Sequence, residues 1–103
     1  MATLTVRILG DLNKVLDELS EKTGILKSSL ILYALNDRLR RGNFPKGDLF
    51  TVTGQVPVRI TLRLPDALKE LLEAAAKAND VSVNFMVNKC IYDVNLLYWR
   101  TYQ

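Results

Sequence analysis

An internal repeat constrains the fold of this 103-residue chain more than any other feature of its sequence. When the sequence is shifted by 56 positions, its two halves align without a gap from Leu4 and Ile60 through two predicted helices. Identical residues that then coincide are Thr5 and Thr61, Arg7 and Arg63, Leu12 and Leu68, Leu16 and Leu72, and Asp37 and Asp93. We interpret the chain as a duplication, with one unit at 1–41, a linker at 42–57 and a second unit at 58–103.

Each half begins with a short run in which polar and apolar residues alternate. A period of two is typical of a strand with one face buried and the other in water. The predicted buried face carries Leu4, Val6 and Ile8 in the first half and Ile60, Leu62 and Leu64 in the second. The predicted outward face carries Thr3, Thr5 and Arg7 in the first half and Arg59, Thr61 and Arg63 in the second.

Two amphipathic helices follow each predicted strand, with apolar residues at helical spacing. The stripe of the first helix is Leu12, Val15, Leu16 and Leu19, repeated as Leu68, Leu71, Leu72 and Ala75. The stripe of the second helix is Leu30, Ile31, Ala34, Leu35 and Leu39, repeated as Met86, Val87, Cys90, Ile91 and Val94. Asp11 and Pro65 suit helix starts, and Gly24 is a predicted left-handed stop. Asp80 occupies the matching stop position but is a poorer left-handed residue.

The segment between the halves has the composition of a linker. It contains Gly42, Pro45, Gly47, Gly54 and Pro57, which end helices and favour turns. Within it, 49–53 alternates enough to form a short extra strand.

The composition argues against most enzyme classes. The chain has a single cysteine, Cys90, and no histidine, so the usual zinc-ligand sets and histidine-based triads are excluded. Cys90 falls where the first repeat has Ala34, and its apolar flanks indicate a small core residue rather than a reactive thiol. We expect neither enzyme activity nor a cofactor.

The net charge of +3 suits a polyanionic partner without identifying one. The longest apolar stretch, 30–35, is far shorter than the roughly 18 residues of a membrane span, and no signal segment opens the chain. We therefore expect a cytoplasmic protein that does not enter membranes.

A strand and two helices in about 45 residues leave the strand without a partner and bury too little surface to fold alone. Pairing the two halves resolves both problems. The predicted fold is mainly α with a two-stranded antiparallel β-ribbon, in which the two units form one intramolecular pseudo-dimer. The outward threonines and arginines could serve solubility alone, but the same Thr-x-Arg in both halves favours recognition of base edges in a major groove.

This pattern resembles the ribbon-helix-helix family of Arc- and MetJ-type DNA-binding proteins. The second half is the more Arc-like, in the run 60–65 and in Ser82, Val83 and Asn84. The resemblance covers about 40 residues of each half and leaves out the linker and the last few residues.

The resemblance implies two sets of contacts with double-stranded DNA. The base-reading set is Thr3, Thr5, Arg7, Arg59, Thr61 and Arg63. The phosphate-binding set, at the start of the second helix of each half, is Lys27, Ser28, Ser82, Val83 and Asn84. A helix start suits this task because its free N–H groups and positive dipole attract an anion. The first half departs from the family, since Leu26 stands where the second half has Ser82.

By this resemblance the chain is expected to be a sequence-specific transcriptional repressor of phage, virus or plasmid type, which acts by covering a promoter. One alternative is a TraY-type accessory protein of plasmid transfer or partition. Another is an antitoxin-like or protein-binding helical module. An apolar C-terminal stretch is predicted either to pack as core or to bring two chains together, and its residues are Leu96, Leu97, Tyr98, Trp99 and Tyr102.

Overall fold

The protein is mainly helical, with one two-stranded antiparallel sheet, in a computed structural model. The structure describes residues 1–41 and 57–102, with side chains for 1–40 and 57–93. Its elements in chain order are β1 (Ala2–Ile8), α1 (Gly10–Thr23), α2 (Lys27–Arg41), β2 (Val58–Leu64), α3 (Asp66–Ala78) and α4 (Val83–Tyr102). The predicted linker before Pro57, the possible strand at 49–53 and the side chains of the C-terminal apolar stretch lie outside the described parts.

The helix boundaries follow from local sequence. Gly24 ends α1 in the left-handed conformation, with φ of 74°, and its N–H donates to the carbonyl of Ser20 at 2.9 Å. Asp80 takes a similar conformation after α3, with φ of 55°, although aspartate suits it less well than glycine. At the other end, Asp11 lies in the first turn of α1 and is not its cap. Pro65 directly precedes α3 rather than occupying its first position.

The two strands pair along their whole length, and the pairing has the symmetry of the repeat. Thr5 lies opposite Thr61, its own counterpart under the 56-residue shift. Thr3 lies opposite Arg63, and Arg7 lies opposite Arg59. Exchanging every residue for its counterpart reproduces the same pairs, so each half contributes one strand to the sheet in an equivalent way.

The core lies between the apolar face of the sheet and the four helices, and α2 packs on α3 and α4 as well as on α1. The predicted inward strand residues point into it: Val6, Ile8, Leu62 and Leu64 are buried, while Leu4 and Ile60 are half-buried. Cys90 is fully buried among apolar neighbours, as its position on the stripe predicts.

One predicted core position is wrong. Leu71 is 41% exposed, whereas Ala76, which was not expected in the core, is only 3% exposed. The buried row of α3 is Leu68, Leu72 and Ala76, which are spaced by four. Since successive helical residues are rotated by about 100°, Leu71 turns out of this narrow row towards solvent.

Charged residues also enter the helical interface, which sequence reasoning missed. Asp93 on α4 accepts from Lys89 at 3.1 Å and lies 3.6 Å from a guanidinium nitrogen of Arg38 on α2. All three side chains are at most 15% exposed. Charges that leave water must be paired, and here the shared carboxylate joins α2 to α4.

None of the helices within 1–41 and 57–102 has the length and apolarity that a membrane crossing requires.

Truncating adjacent leucines on α3 tests this packing. Leu72→Ala should lower the free energy of unfolding by about 2–5 kcal/mol, because it leaves a cavity in the core. Leu71→Ala removes the same atoms from an exposed position and should change the free energy of unfolding by only about 0.5 kcal/mol. Urea denaturation of both variants measures the difference. Equal losses in the free energy of unfolding would contradict the assignment of Leu72 to the buried row and of Leu71 to the surface.

Candidate functional site

The outer face of the sheet carries all six residues of the predicted base-reading set. Each of them is exposed, because the alternation of the strands turns every second side chain away from the core. The register arranges them as three cross-strand pairs, which are Thr3 with Arg63, Thr5 with Thr61, and Arg7 with Arg59. We call this surface of six side chains the ribbon face.

The ribbon face carries only positive charge. It holds three arginines and three threonines, and none of its six side chains is acidic. Arg7 and Arg59 lie directly opposite one another, an arrangement that destabilises an isolated sheet because like charges repel. A bound anion would offset that repulsion, so the pair favours an anionic partner.

The two ends of the ribbon face differ in charge. One end has the pair Arg7 and Arg59, and the other has Arg63 opposite the neutral Thr3. Beside this second end, the carboxylate of Asp66 lies 4.0 Å from the amino group of Met1, and both groups are largely exposed. The positive field is therefore strongest at the Arg7 end.

Two asparagines of α4 hold the main chain beneath Arg7. The side-chain oxygen of Asn84 accepts from the Arg7 N–H at 2.7 Å. Asn88 accepts from the Leu9 N–H and donates to the Arg7 carbonyl, both at 2.9 Å. The only sequence signal for this contact was a polar residue, Asn88, among the buried residues of a helix, and the sequence alone did not reveal its partner.

The predicted second phosphate anchor lies at the start of α4. The hydroxyl of Ser82 accepts from the Phe85 N–H at 3.0 Å, which is the capping bond expected of a serine there. Ser82 and Asn84 are exposed and Val83 is half-buried. Because the Asn84 oxygen is bonded to Arg7, this helix start is linked directly to the ribbon.

The predicted first anchor, at the start of α2, is built differently. The ammonium group of Lys27 donates to Asn13 at 2.6 Å and to Asp17 at 2.9 Å. Its charge is therefore partly neutralised by α1. Leu26 has no hydroxyl for capping and is 71% exposed, and Ser28 is exposed. The structure thus brings both predicted anchors to helix starts but gives them different chemistry.

The remaining chemistry of the described residues is limited. No group of three or more cysteine, aspartate or glutamate side chains within them is arranged to hold a metal ion. Burial, and to a lesser extent the nearby Asp93 carboxylate, raise the pKa of the Cys90 thiol to about 12. A thiol with that pKa stays protonated at neutral pH and is a poor nucleophile.

Comparison with protein-family models, with curated proteins and with solved structures finds no match for this chain.

The reactivity of the Cys90 thiol gives a direct test of the packing of the core beneath the sheet. With a pKa near 12 and no exposure, the thiol should react with an aromatic disulfide reagent at pH 8 only when the protein opens. The labelling rate should therefore rise with urea in parallel with unfolding. Rapid labelling of the native protein, at the rate of a small thiol, would contradict the buried position.

Proposed function

We propose that this chain is a sequence-specific double-stranded DNA-binding protein built as a tandem ribbon-helix-helix pseudo-dimer. The observation that carries the proposal is the ribbon face, which joins arginines and threonines from both halves on one exposed, acid-free surface. Its register makes the two strands equivalent, which suits a target with two similar halves.

The dimensions and chemistry of the ribbon face support this function. A two-stranded ribbon fits into the major groove of B-DNA, where each base pair presents a distinct pattern of donors and acceptors. Arginine donates two hydrogen bonds to guanine, and threonine contacts base edges or the thymine methyl group. Arg7, Arg59 and Arg63 would then read guanines, while Thr5 and Thr61 would lie over the central base step.

Phosphate contacts would fix the ribbon in the groove. The start of α4 offers main-chain N–H groups of Val83 and Asn84 beside the ribbon, and a helix start attracts phosphate. In the first half Lys27 would contribute, although its bonds to Asn13 and Asp17 reduce its available charge. Bound in this way across a promoter, the protein would act as a transcriptional repressor.

Loss of one reading arginine tests the proposal. Arg63→Ala should weaken binding to a duplex selected by the protein from randomised DNA by about 1–3 kcal/mol, with little change on random duplex. Arg40→Ala is the matched control, because Arg40 is an exposed arginine on α2, away from the ribbon face. Fluorescence anisotropy with both duplexes measures the effect.

Comparison with Arg40→Ala separates base recognition by Arg63 from a general effect of its charge. Equal losses for the two variants, or equal losses on selected and random DNA, would mean that Arg63 contributes only charge. Failure of the wild type to select any sequence would contradict the proposed function.

The charge difference between the two ends of the ribbon face predicts an asymmetric site. The selected sequence should have its stronger guanine preference under the Arg7 and Arg59 end and a weaker one under Thr3 and Arg63. Thr3→Arg should make the selected motif more nearly palindromic. Sequencing of the selected pools measures both motifs, and a perfectly palindromic wild-type motif would contradict a base contact by Arg59.

A further inference from the structure

A buried asparagine ties one end of the ribbon to α4. Asn88 is only 3% exposed, and its amide is fully engaged. Its oxygen accepts from the Leu9 N–H, and its nitrogen donates to the carbonyls of Arg7 and Asn84, each at 2.9 Å. Together with the 2.7 Å bond from the Arg7 N–H to Asn84, both main-chain polar groups of Arg7 are bonded to side chains of α4.

The positions equivalent to Leu9 and Asn88 in the repeat carry residues with different hydrogen-bonding groups. Under the 56-residue shift, Leu9 corresponds to Pro65 and Asn88 corresponds to Leu32. Proline has no N–H, so no acceptor is needed opposite it, and the leucine side chain has none to offer. The partly buried Leu32 packs on the core instead.

The two positions share one backbone conformation. Leu9 has φ of −57° and ψ of 140°, and Pro65 has φ of −59° and ψ of 145°. The difference between the halves is therefore one of hydrogen bonding and not of chain path. After β1, Asn88 accepts from the Leu9 N–H, whereas after β2, Pro65 has no N–H and Leu32 offers no acceptor. Neither arrangement leaves an unpaired N–H at the end of a strand.

In the part of the chain that the structure describes, only the arrangement of Leu9 with Asn88 also bonds the end of a strand to a helix. Among the described residues, α4 packs more extensively on β1 than α2 does on β2. The tied end is also the one at which Arg7 faces Arg59 across the sheet. Repulsion between these guanidinium groups favours separation of the strand ends, and the bonds from α4 oppose that movement.

We propose that Asn88, assisted by Asn84, is a positioning residue that holds the main chain of Arg7 so that its guanidinium stays beside Arg59 for base contact. This inference rests on the proposed function. Asn88 itself touches no base: it acts through Arg7. In the second half no counterpart of Asn88 is needed, because Arg63 faces a neutral threonine.

Replacing Asn88 and Leu9 by the residues at the equivalent positions of the repeat tests the proposal in the full-length chain. Asn88→Leu should lower affinity for the selected duplex about tenfold with little change on random duplex, since it removes the bond to the Arg7 carbonyl and leaves the Leu9 N–H unpaired. Amide exchange at Leu9 should accelerate by about tenfold or more in the free protein, because its acceptor is lost.

The double variant Leu9→Pro with Asn88→Leu copies the chemistry of the second half. It removes the unpaired N–H in a backbone conformation that proline accepts. We expect it to unfold at a higher urea concentration than Asn88→Leu alone but to remain weaker than the wild type on the selected duplex, because the bond from Asn88 to the Arg7 carbonyl is still missing. If Asn88→Leu does not fold by itself, this double variant carries the binding measurement.

The outcomes separate a positioning role from a structural one. A loss confined to the selected duplex, persisting in the stabilised double variant, supports the proposal. Equal losses on both duplexes, or full recovery of selectivity in the double variant, would show that Asn88 only stabilises the fold. A wild-type protein that binds without sequence preference would overturn the proposed function, and the positioning role with it.

Discussion

The pairing of β1 with β2 is the interaction on which the rest of the structure depends. Its central pair, Thr5 and Thr61, joins residues 56 positions apart, so its entropic cost must be met by non-local burial. Within residues 1–41 and 57–102 neither strand has another partner, and two isolated strands are marginal in water. The sheet is stable because its inner face, including Val6, Ile8 and Leu62, closes over helices from both halves. The same pairing collects the outer residues of both strands into one ribbon face.

The two halves share their core pattern and differ where polar groups meet the surface. Leucines and other apolar residues occupy matching buried positions, since packing around a common sheet demands similar shapes. Outside that core the constraints are weaker. Leu26 replaces a capping serine, Lys27 binds Asp17 where the second half has Val83, and Leu32 and Pro65 stand at the positions equivalent to Asn88 and Leu9. Asn84 and Asn88 hold the end of the ribbon face at which Arg7 lies opposite Arg59. The other end carries less charge because Thr3 stands where the second half has Arg59.

The parts of this architecture that could be predicted from the sequence are those set by local periodicity. Alternation indicated the inward and outward strand residues, and Gly24 marked a left-handed stop, with Asp80 at the matching stop position. Helical spacing alone does not determine how wide the buried stripe of a helix is. It predicts Leu71 in the core, although Leu71 is exposed. The bonds of Asn88 to Arg7 and Leu9 join residues about 80 positions apart and leave no periodic trace. The buried charges of Arg38, Lys89 and Asp93 were missed for the same reason, since their pairing exists only after α2 meets α4.

We propose that the ribbon face contacts DNA. Mapping of amide and arginine side-chain chemical shifts during titration with a selected duplex tests it most directly. We expect the largest changes at Thr5, Thr61 and the three ribbon arginines, with smaller changes at the start of α4, while the exposed side of α3 around Leu71 stays unaffected. Changes concentrated on the outer helix surfaces, with the strands unaffected, would contradict it.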